Sequence, residues 1–417
     1  MTARCWLFGG NANNGSQDGL ACANSNNDPG NRNRNIGSRH CLYEDFLSSQ
    51  QPRHLAKKLN LLSVLVGSRR RLTMYKAKNM KRFGNLFDKV ISIDNLQLAA
   101  DKAMRGKSRQ PGVKKFLEDR DANIVKLNQT LADGSFKTSQ YTVFTVYEPK
   151  EREIYRLPFY PDRIVHHAIM NVIEPILYSV FTYNTYSCIK DRGITACADR
   201  VSKIMESFKD KPLYCLKIDI KKYYPSIDNE ILKGIVRRKI KDVKLLSLID
   251  GIIDSEKGLP IGNYLSQSFA NLYLSYFMHY CNEVLKIKCT EYADDIVFFA
   301  DTKKTLHITF DKINDYLSNQ LHLTIKSNYQ IFPIAINRYD RKGRALDYVG
   351  FCFYRNQLLM RKRIKQNFCR RLSQLRRHHV TGSRFKSAVA PWLGWAQHSQ
   401  SRKLLNKILP EYAQNIL

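Results

Sequence analysis

Two adjacent carboxylates, Asp294 and Asp295, interrupt an apolar stretch whose pattern over residues 290–300 predicts strand, tight turn and strand. A hairpin turn would expose both side chains at its tip. Like charges side by side in a buried setting are costly unless cations neutralise them. Asp is also a common turn residue, so the pair alone leaves three interpretations open: a metal site, an internal ion pair and an ordinary turn.

A second apolar run, residues 213–218, ends on Asp219 as a buried strand would. Mg²⁺ prefers oxygen ligands and is usually held by one or two carboxylates together with substrate phosphates. Phosphoryl transfer through two metal ions needs a carboxylate that bridges both. A strand end and a hairpin turn on neighbouring strands can supply that geometry. The two segments together predict a two-magnesium site at Asp219, Asp294 and Asp295.

The charge balance is strongly basic, because 68 Lys and Arg face 37 Asp and Glu, for a net charge of +31. Such a surplus favours a polyanionic partner. No apolar run is long enough to span a membrane, and the N-terminus has no signal-peptide pattern. We therefore expect a cytoplasmic nucleic-acid-binding protein with no membrane partner. The ten cysteines form no CxxC pair, which favours buried reduced thiols over zinc or disulfides.

The chain is organised as an α+β core between two unusual ends. Residues 11–35 hold nine asparagines and almost no core-forming side chains, which favours a disordered tail. Alternating apolar residues predict a strand over residues 141–147. Helical spacing of apolar residues occurs over residues 94–104, 114–131, 163–181, 266–284 and 358–417. The last of these regions is basic: from Arg355 to Lys407 there are fourteen Lys or Arg and no acidic residue.

Several segments resemble reverse transcriptases. The run Tyr-Ala-Asp-Asp at residues 292–295 is similar to their YxDD box, and residues 219–224 resemble their first catalytic motif. Residues 149–158 and 162–168 resemble the fingers motifs that precede the palm, and residues 348–351 resemble the primer grip that follows it. The motifs come in the family's order, and the resemblance covers about residues 80–400.

This resemblance implies a right-hand polymerase fold, with fingers over residues 74–211, an antiparallel palm sheet with helices over 212–354 and a basic helical thumb over 355–417. Its implied cofactor is a pair of Mg²⁺ ions, and its implied partners are template RNA, a DNA primer and deoxynucleoside triphosphates. Asp219, Asp294 and Asp295 take the place of the family's catalytic metal ligands. The alternatives within the same superfamily are a group II intron-type or a retron-type enzyme. An RNA-binding splicing factor with an idle palm is a non-enzymatic alternative.

Nucleotide-binding roles follow from the resemblance where residues match. Arg152, assisted by Lys150, matches the fingers arginine that contacts the incoming triphosphate; a solvated loop charge is the alternative. Tyr224 matches the steric gate that excludes a 2′-hydroxyl, although an isolated aromatic is more often a core residue. Lys326 lies near the position where a family lysine protonates pyrophosphate.

A further block, IGxxxSQ, comprises Ile261, Gly262, Ser266 and Gln267. Many reverse transcriptases have QGxxxSP here, whereas IGxxxSQ resembles the enzymes of diversity-generating retroelements, which make errors opposite template adenines. Residues 392–398 resemble the thumb of that group, which also uses a basic accessory variability protein. Unlike a Gln side chain, the Ile261 side chain cannot form a hydrogen bond near the templating pair, which predicts looser base selection.

Two expectations concern the ends of the chain. Residues 1–73 resemble a translated template repeat and spacer, with Met74 or Met80 as the true start; a disordered tail is the alternative. In the C-terminal region, basic side chains are expected to follow the phosphates of the template–primer duplex, although a charge run is usually a solvated face. These residues are Arg361, Lys362, Arg363, Arg370, Arg371, Arg376 and Arg377.

Overall fold

The computed structural model describes residues 81–147 and 151–410. The predictions for residues 1–73, for Met74 and Met80 as start sites and for Lys150 lie outside these ranges. From Phe83 onward the described residues belong to one compact unit. Among the helices that the structure describes, none is both long and apolar enough to cross a membrane.

The first part of the unit is helical. Asn95 on the second helix donates through its side-chain amide to Ala168 O, 3.0 Å away on the fifth. The pattern over residues 114–131 is divided between two helices, because the backbone leaves helical geometry at Asp119, with φ −146°. The helices are α1 (Phe87–Ile91), α2 (Ile93–Met104), α3 (Pro111–Leu117), α4 (Arg120–Ala132) and α5 (Ile164–Tyr178).

An antiparallel hairpin precedes α5. Its strands are β1 (Thr142–Tyr147) and β2 (Glu151–Arg156), which confirms the strand predicted from alternation. Helix α6 (Ile194–Glu206) then leads into the central sheet.

The central sheet has four antiparallel strands in the order β4-β5-β3-β6. Alternate residues of its strands enter two different cores: Leu216 and Phe298 join one, whereas Cys215 and Phe299 join the other. The strands are β3 (Tyr214–Asp219), β4 (Lys288–Tyr292), β5 (Asp295–Ala300) and β6 (Gln330–Pro333). The helices connected to them are α7 (Asn229–Arg237), α8 (Val243–Ile253), α9 (Tyr264–His279) and α10 (Lys303–Leu321).

A smaller antiparallel sheet and three helices follow. The helical interpretation of residues 358–360 is wrong, because they lie in the last strand and pair with the strand before it. That hairpin also spans residue 354, where the palm was predicted to end. The strands are β7 (Leu346–Tyr348), β8 (Phe351–Tyr354) and β9 (Gln357–Met360). The helices are α11 (Lys362–Arg377), α12 (Gly382–Gln397) and α13 (Arg402–Ile408).

The cysteines in the described ranges are all free thiols. The prediction of buried thiols is confirmed for Cys197, Cys215, Cys281 and Cys289. It is wrong for Cys188, which is exposed, and Cys352 and Cys369 are only half-buried.

Candidate active site

The carboxylates meet where two strands of the central sheet end. In the antiparallel register of β3 and β5, Asp219 lies directly opposite Asp295. A two-residue turn joins β4 to β5, and Ala293 takes the left-handed conformation there, with φ 56°. Asp294 is the second residue of this turn, and its carbonyl accepts from the Ile220 amide at 3.3 Å. Backbone pairing therefore fixes all three acids at one end of the sheet.

Two lysines neutralise part of this charge. Lys326 Nζ lies 2.5 Å from Asp219 Oδ1, and the Lys326 amide donates to Asp219 O at 2.9 Å. Lys217 Nζ lies 3.2 Å from Asp295 Oδ2. Three carboxylates thus face two ammonium groups, which leaves the site with a surplus of negative charge.

Burial and mutual repulsion disfavour the ionised carboxylates. Burial, then the charges of Asp219 and Asp295, raise the pKa of Asp294 to about 6. Burial also raises the pKa of Asp295, although the Lys217 ammonium opposes the rise. Asp295 Oδ1 is buried and has no hydrogen-bond partner among the described residues. A buried acceptor in an acidic site is where a cation would be most stabilising.

The described residues contain no ready-made cluster of three His, Cys, Asp or Glu with metal-binding geometry. The two ammonium groups occupy oxygens of Asp219 and Asp295 that a metal would use. The donor set itself fits a hard divalent ion, because it consists of carboxylate oxygens only. The surplus negative charge and the unpaired Asp295 oxygen fit a divalent cation at this end of the sheet.

Lys217 extends the site towards the C-terminal helices. It was not among the site residues predicted from the sequence. Its ammonium also donates to Asp347 O at 2.7 Å, and the Asp347 carboxylate accepts from Arg361 Nε at 2.5 Å. Arg361 is the N-cap residue of α11. The available signal was a lysine inside a buried strand, two residues before Asp219 and hence on the same face.

The loop before α9 is held against Tyr224, the last residue of the segment that resembles the first catalytic motif. The Leu259 amide donates to Tyr224 O at 2.9 Å. Gly258 has φ 74°, and a Cβ there would lie 2.7 Å from the same carbonyl. Ser266 is buried, and its hydroxyl donates to Pro260 O at 2.7 Å, so it shapes this loop. Helix α9 begins at Tyr264 rather than at the expected Ser266.

The same loop is joined to the β1–β2 hairpin. Ile261 O accepts from the Tyr155 amide at 2.8 Å. Gly262 has φ 125°, and a Cβ there would lie only 2.3 Å from Tyr155 O, so only glycine permits this approach. Arg152 lies on the same strand as Tyr155, is half-buried and makes no ion pair with any described residue. The backbone thus joins the IGxxxSQ loop to the strand that carries Arg152, while Gln267 lies half-buried in the first turns of α9.

The basic residues of α11 fall into two groups. Arg361 pairs with Asp347, and Arg376 donates to Ile408 O at 2.7 Å, so both have structural partners. The remaining predicted residues are exposed on the helix: Lys362, Arg363, Arg370, Arg371 and Arg377.

The opposite face of α11 is buried by Phe368, Leu372 and Leu375. Helix α12 packs on β8 through Trp395, whose ring centroid lies 4.8 Å from that of Phe351. This part of the chain joins a cationic helix to the sheet that follows the carboxylates.

Comparison with known proteins defines the class of the domain. Residues 149–329 match the reverse transcriptase (RNA-dependent DNA polymerase) family. Protein YkfC of Escherichia coli (strain K12) is 26% identical over 153 residues, 33% of this chain and 40% of YkfC. Group II intron-encoded protein LtrA of Lactococcus lactis subsp. cremoris is 25% identical over 167 residues, 37% of this chain and 27% of LtrA. The matches span less than half the length of these relatives.

Telomerase structures show a distant likeness. The apo telomerase from Candida Tropicalis has a TM-score of 0.44 and 12% identity, with 65% of this chain and 58% of that chain covered. The form truncated from the C-terminal domain has a TM-score of 0.39 and 13% identity, over 57% of this chain and 60% of that chain.

Residues 149–329 thus match the reverse transcriptase family, and part of the chain is similar to a group II intron-encoded protein.

Proposed function

We propose that the chain copies an RNA template from a DNA primer and uses deoxynucleoside triphosphates. The observation that carries this proposal is the register that sets Asp219 opposite Asp295, with Asp294 in the adjoining turn. We assign the hairpin and helices before β3 to the fingers, the central sheet to the palm and the helices from α11 onward to the thumb. Template–primer would lie between the carboxylates and the exposed cations of α11.

We assign Asp219, Asp294 and Asp295 as ligands of two Mg²⁺ ions. Bound divalent ions would acidify the primer 3′-hydroxyl and neutralise the leaving pyrophosphate. The raised pKa of Asp294 means that protons compete for the site, so occupancy should increase as the pH rises through about 6. Lys326 holds its ammonium beside Asp219, where it could donate a proton to pyrophosphate.

The nucleotide site extends from the palm to the fingers hairpin. We assign Arg152, with Lys150, to the triphosphate and Tyr224 to discrimination against the 2′-hydroxyl. Support comes from the backbone hydrogen bonds that join Ile261 to β2 and Leu259 to Tyr224, and from the close approach of Gly262 to Tyr155 O. Ser266 and Gln267 complete this nucleotide site by shaping the start of α9.

We further propose that the enzyme makes mutagenic cDNA from a template repeat RNA of a diversity-generating retroelement, with a basic accessory variability protein as partner. The support is the IGxxxSQ block and the segment at residues 392–398. An aliphatic Ile261 offers no hydrogen bond to orient the template–nucleotide pair. A loss of about 1.4 kcal/mol in discrimination gives about tenfold more error.

Two variants test the two levels of this proposal. Asp294→Ala should abolish primer extension on an RNA template while RNA binding is retained; unchanged extension would exclude the metal role. Ile261→Gln should lower misincorporation opposite template adenine without lowering extension opposite the other bases. An unchanged error spectrum would remove the mutagenic role and favour a group II intron-type or retron-type enzyme. RNA binding without any extension by the unmodified chain would favour the splicing factor.

A further inference from the structure

A short loop lies at the far end of the central sheet from the carboxylates. Residues 336–344, here called the distal loop, connect β6 to β7. Pro333, at the end of β6, pairs with Tyr214, the first residue of β3. Asp219 is the last residue of β3. Tyr214 and Asp219 are five residues apart along β3, which corresponds to about 16 Å. The distal loop is therefore outside the site described above.

Its own side chains hold the distal loop in shape. The Asp340 carboxylate accepts from the amides of Ile336 and Lys342, both at 2.8 Å. Asn337 Oδ1 accepts from the Tyr339 amide at 2.9 Å. The Asn356 amide donates to Ile336 O at 3.0 Å, which fixes the start of the loop to the β8–β9 turn. Both carboxylate oxygens of Asp340, the only acid of the loop, thus accept hydrogen bonds from backbone amides of the loop.

The ordered loop presents an aromatic ring and cations to solvent. Tyr339 is 74% exposed, and the Arg338 guanidinium lies 4.6 Å from the centre of its ring. Arg338, Arg341 and Lys342 are exposed. Within residues 338–342 the exposed ring is thus accompanied by three cationic side chains.

A second basic turn adjoins the distal loop. The Arg355 guanidinium donates to Phe208 O at 2.6 Å and to Lys209 O at 2.9 Å, while its amide donates to Ala335 O at 2.9 Å. In this turn Lys209 and Lys211 are exposed, on either side of the exposed Asp210. Arg355 thus holds two basic segments side by side.

We propose that the distal loop, with Lys209 and Lys211, binds a single-stranded polynucleotide outside the template–primer cleft. Base stacking on an exposed aromatic needs an unstacked base, and flanking cations follow the backbone of such a strand. A duplex would offer the phosphates but no base face to Tyr339. The choice of RNA, as template flanking the copied segment, rests on the proposed function.

The test is fluorescence anisotropy of the full chain with labelled oligouridine RNA, without nucleotides or magnesium. Tyr339→Ala should weaken binding about tenfold, whereas Tyr339→Phe should bind like the unmodified chain, because it retains the stacking ring. Arg341→Ala with Lys342→Ala should lower the slope of log affinity against log salt by about 1.4. The matched control is Lys241→Ala with Lys244→Ala, two exposed lysines at the start of α8.

Primer extension on a short hairpin that fills only the cleft should be unchanged in all these variants. Unchanged oligouridine binding by Tyr339→Ala would overturn the proposal, as would an equal loss in the control pair. Equal losses for oligothymidine DNA and oligouridine RNA would overturn the RNA assignment but retain the single-strand surface. Failure of the unmodified chain to extend any primer would reject the proposed polymerase function without affecting this binding result.

Discussion

The carboxylate end of the central sheet and helix α11 both collect like charges, yet they hold them in opposite ways. In the sheet, the register of β3 and β5 fixes Asp219 against Asp295, and Lys326 and Lys217 neutralise part of the charge. On α11 the exposed cations stand in water with no acidic residue within the helix, above a face buried by Phe368 and its neighbours.

The two charge clusters should respond differently to substitution. Charges that are partly desolvated and fixed by backbone pairing act together, so loss of one changes the protonation and position of the others. Charges in water act nearly independently, and each contributes little. Substitution should therefore be all-or-none in the sheet and graded on the helix.

The largest effect is expected for Asp219→Asn. The amide keeps the shape of the side chain but removes the charge that a bridging metal ligand needs, so the extension rate should fall at least about a thousandfold. Single-turnover primer extension measures it, with template–primer affinity as the control, which should change by no more than about twofold. A variant that retains a tenth of the rate would show that this carboxylate holds no essential ion.

Lys217→Met should have the next largest effect. It leaves the Asp295 carboxylate without its cation, which raises the pKa of Asp295 further and lowers the ionised fraction at neutral pH. Extension at neutral pH should fall about 10–100-fold and recover partly at higher pH. Lys217→Arg is the matched control and should keep a pH–rate profile close to that of the unmodified chain. A uniform loss at every pH would assign Lys217 a structural role only.

Part of the carboxylate site could be predicted from the sequence, and part could not. The apolar run that ends on Asp219 and the strand-turn-strand pattern around the Asp-Asp pair were enough to predict the sheet end, because both strands are buried and their ends carry the acids. The two lysines that pair with these carboxylates were not predicted equally well. Lys326 was expected near pyrophosphate and pairs with Asp219, whereas Lys217 was missed because strand patterns do not say which neighbour a charge meets.

Apolar spacing was less reliable where local geometry decides the structure. The break at Asp119 leaves the helical spacing of its neighbours intact, so sequence periodicity alone could not reveal it. Leu358, Leu359 and Met360 are three apolar residues in a row, which fit a strand and a helix equally. Residues 358–360 form a strand because they pair with Phe351–Tyr354, and the apolar pattern alone does not predict this pairing.

Glu291 is a carboxylate of the same central sheet, in β4, and it forms no ion pair with any described residue. Glu291 is fully buried, and among the described residues its carboxylate accepts a hydrogen bond only from Thr185 Oγ1, at 3.0 Å. Burial raises the pKa of Glu291 to about 8. The unfolded chain loses this proton near pH 4.5, so the folded state is disfavoured increasingly as the pH rises from 4.5 to 8.

Glu291→Gln removes this penalty and keeps the shape of the side chain. The free energy of unfolding should therefore rise by about 1–3 kcal/mol at pH 9, with little gain at pH 5. Denaturant unfolding at the two pH values measures it. Thr185→Val is the companion variant, since it removes the hydrogen bond but leaves the titration in place. A gain that is equal at both pH values would mean that Glu291 does not titrate in this range.

The smallest effect should come from Arg370→Gln with Arg371→Gln on α11. Both side chains are exposed, so each should contribute one released counterion when it meets a phosphate of the template–primer duplex. The slope of log affinity against log salt should fall by about 1.8, while the extension rate at saturating template–primer stays within about twofold. Lys241→Gln with Lys244→Gln removes the same charge elsewhere and should leave the slope unchanged. If the α11 pair instead abolished extension, the helix would be part of the same cooperative site as the carboxylates, and the contrast between a fixed and a graded charge cluster would fail.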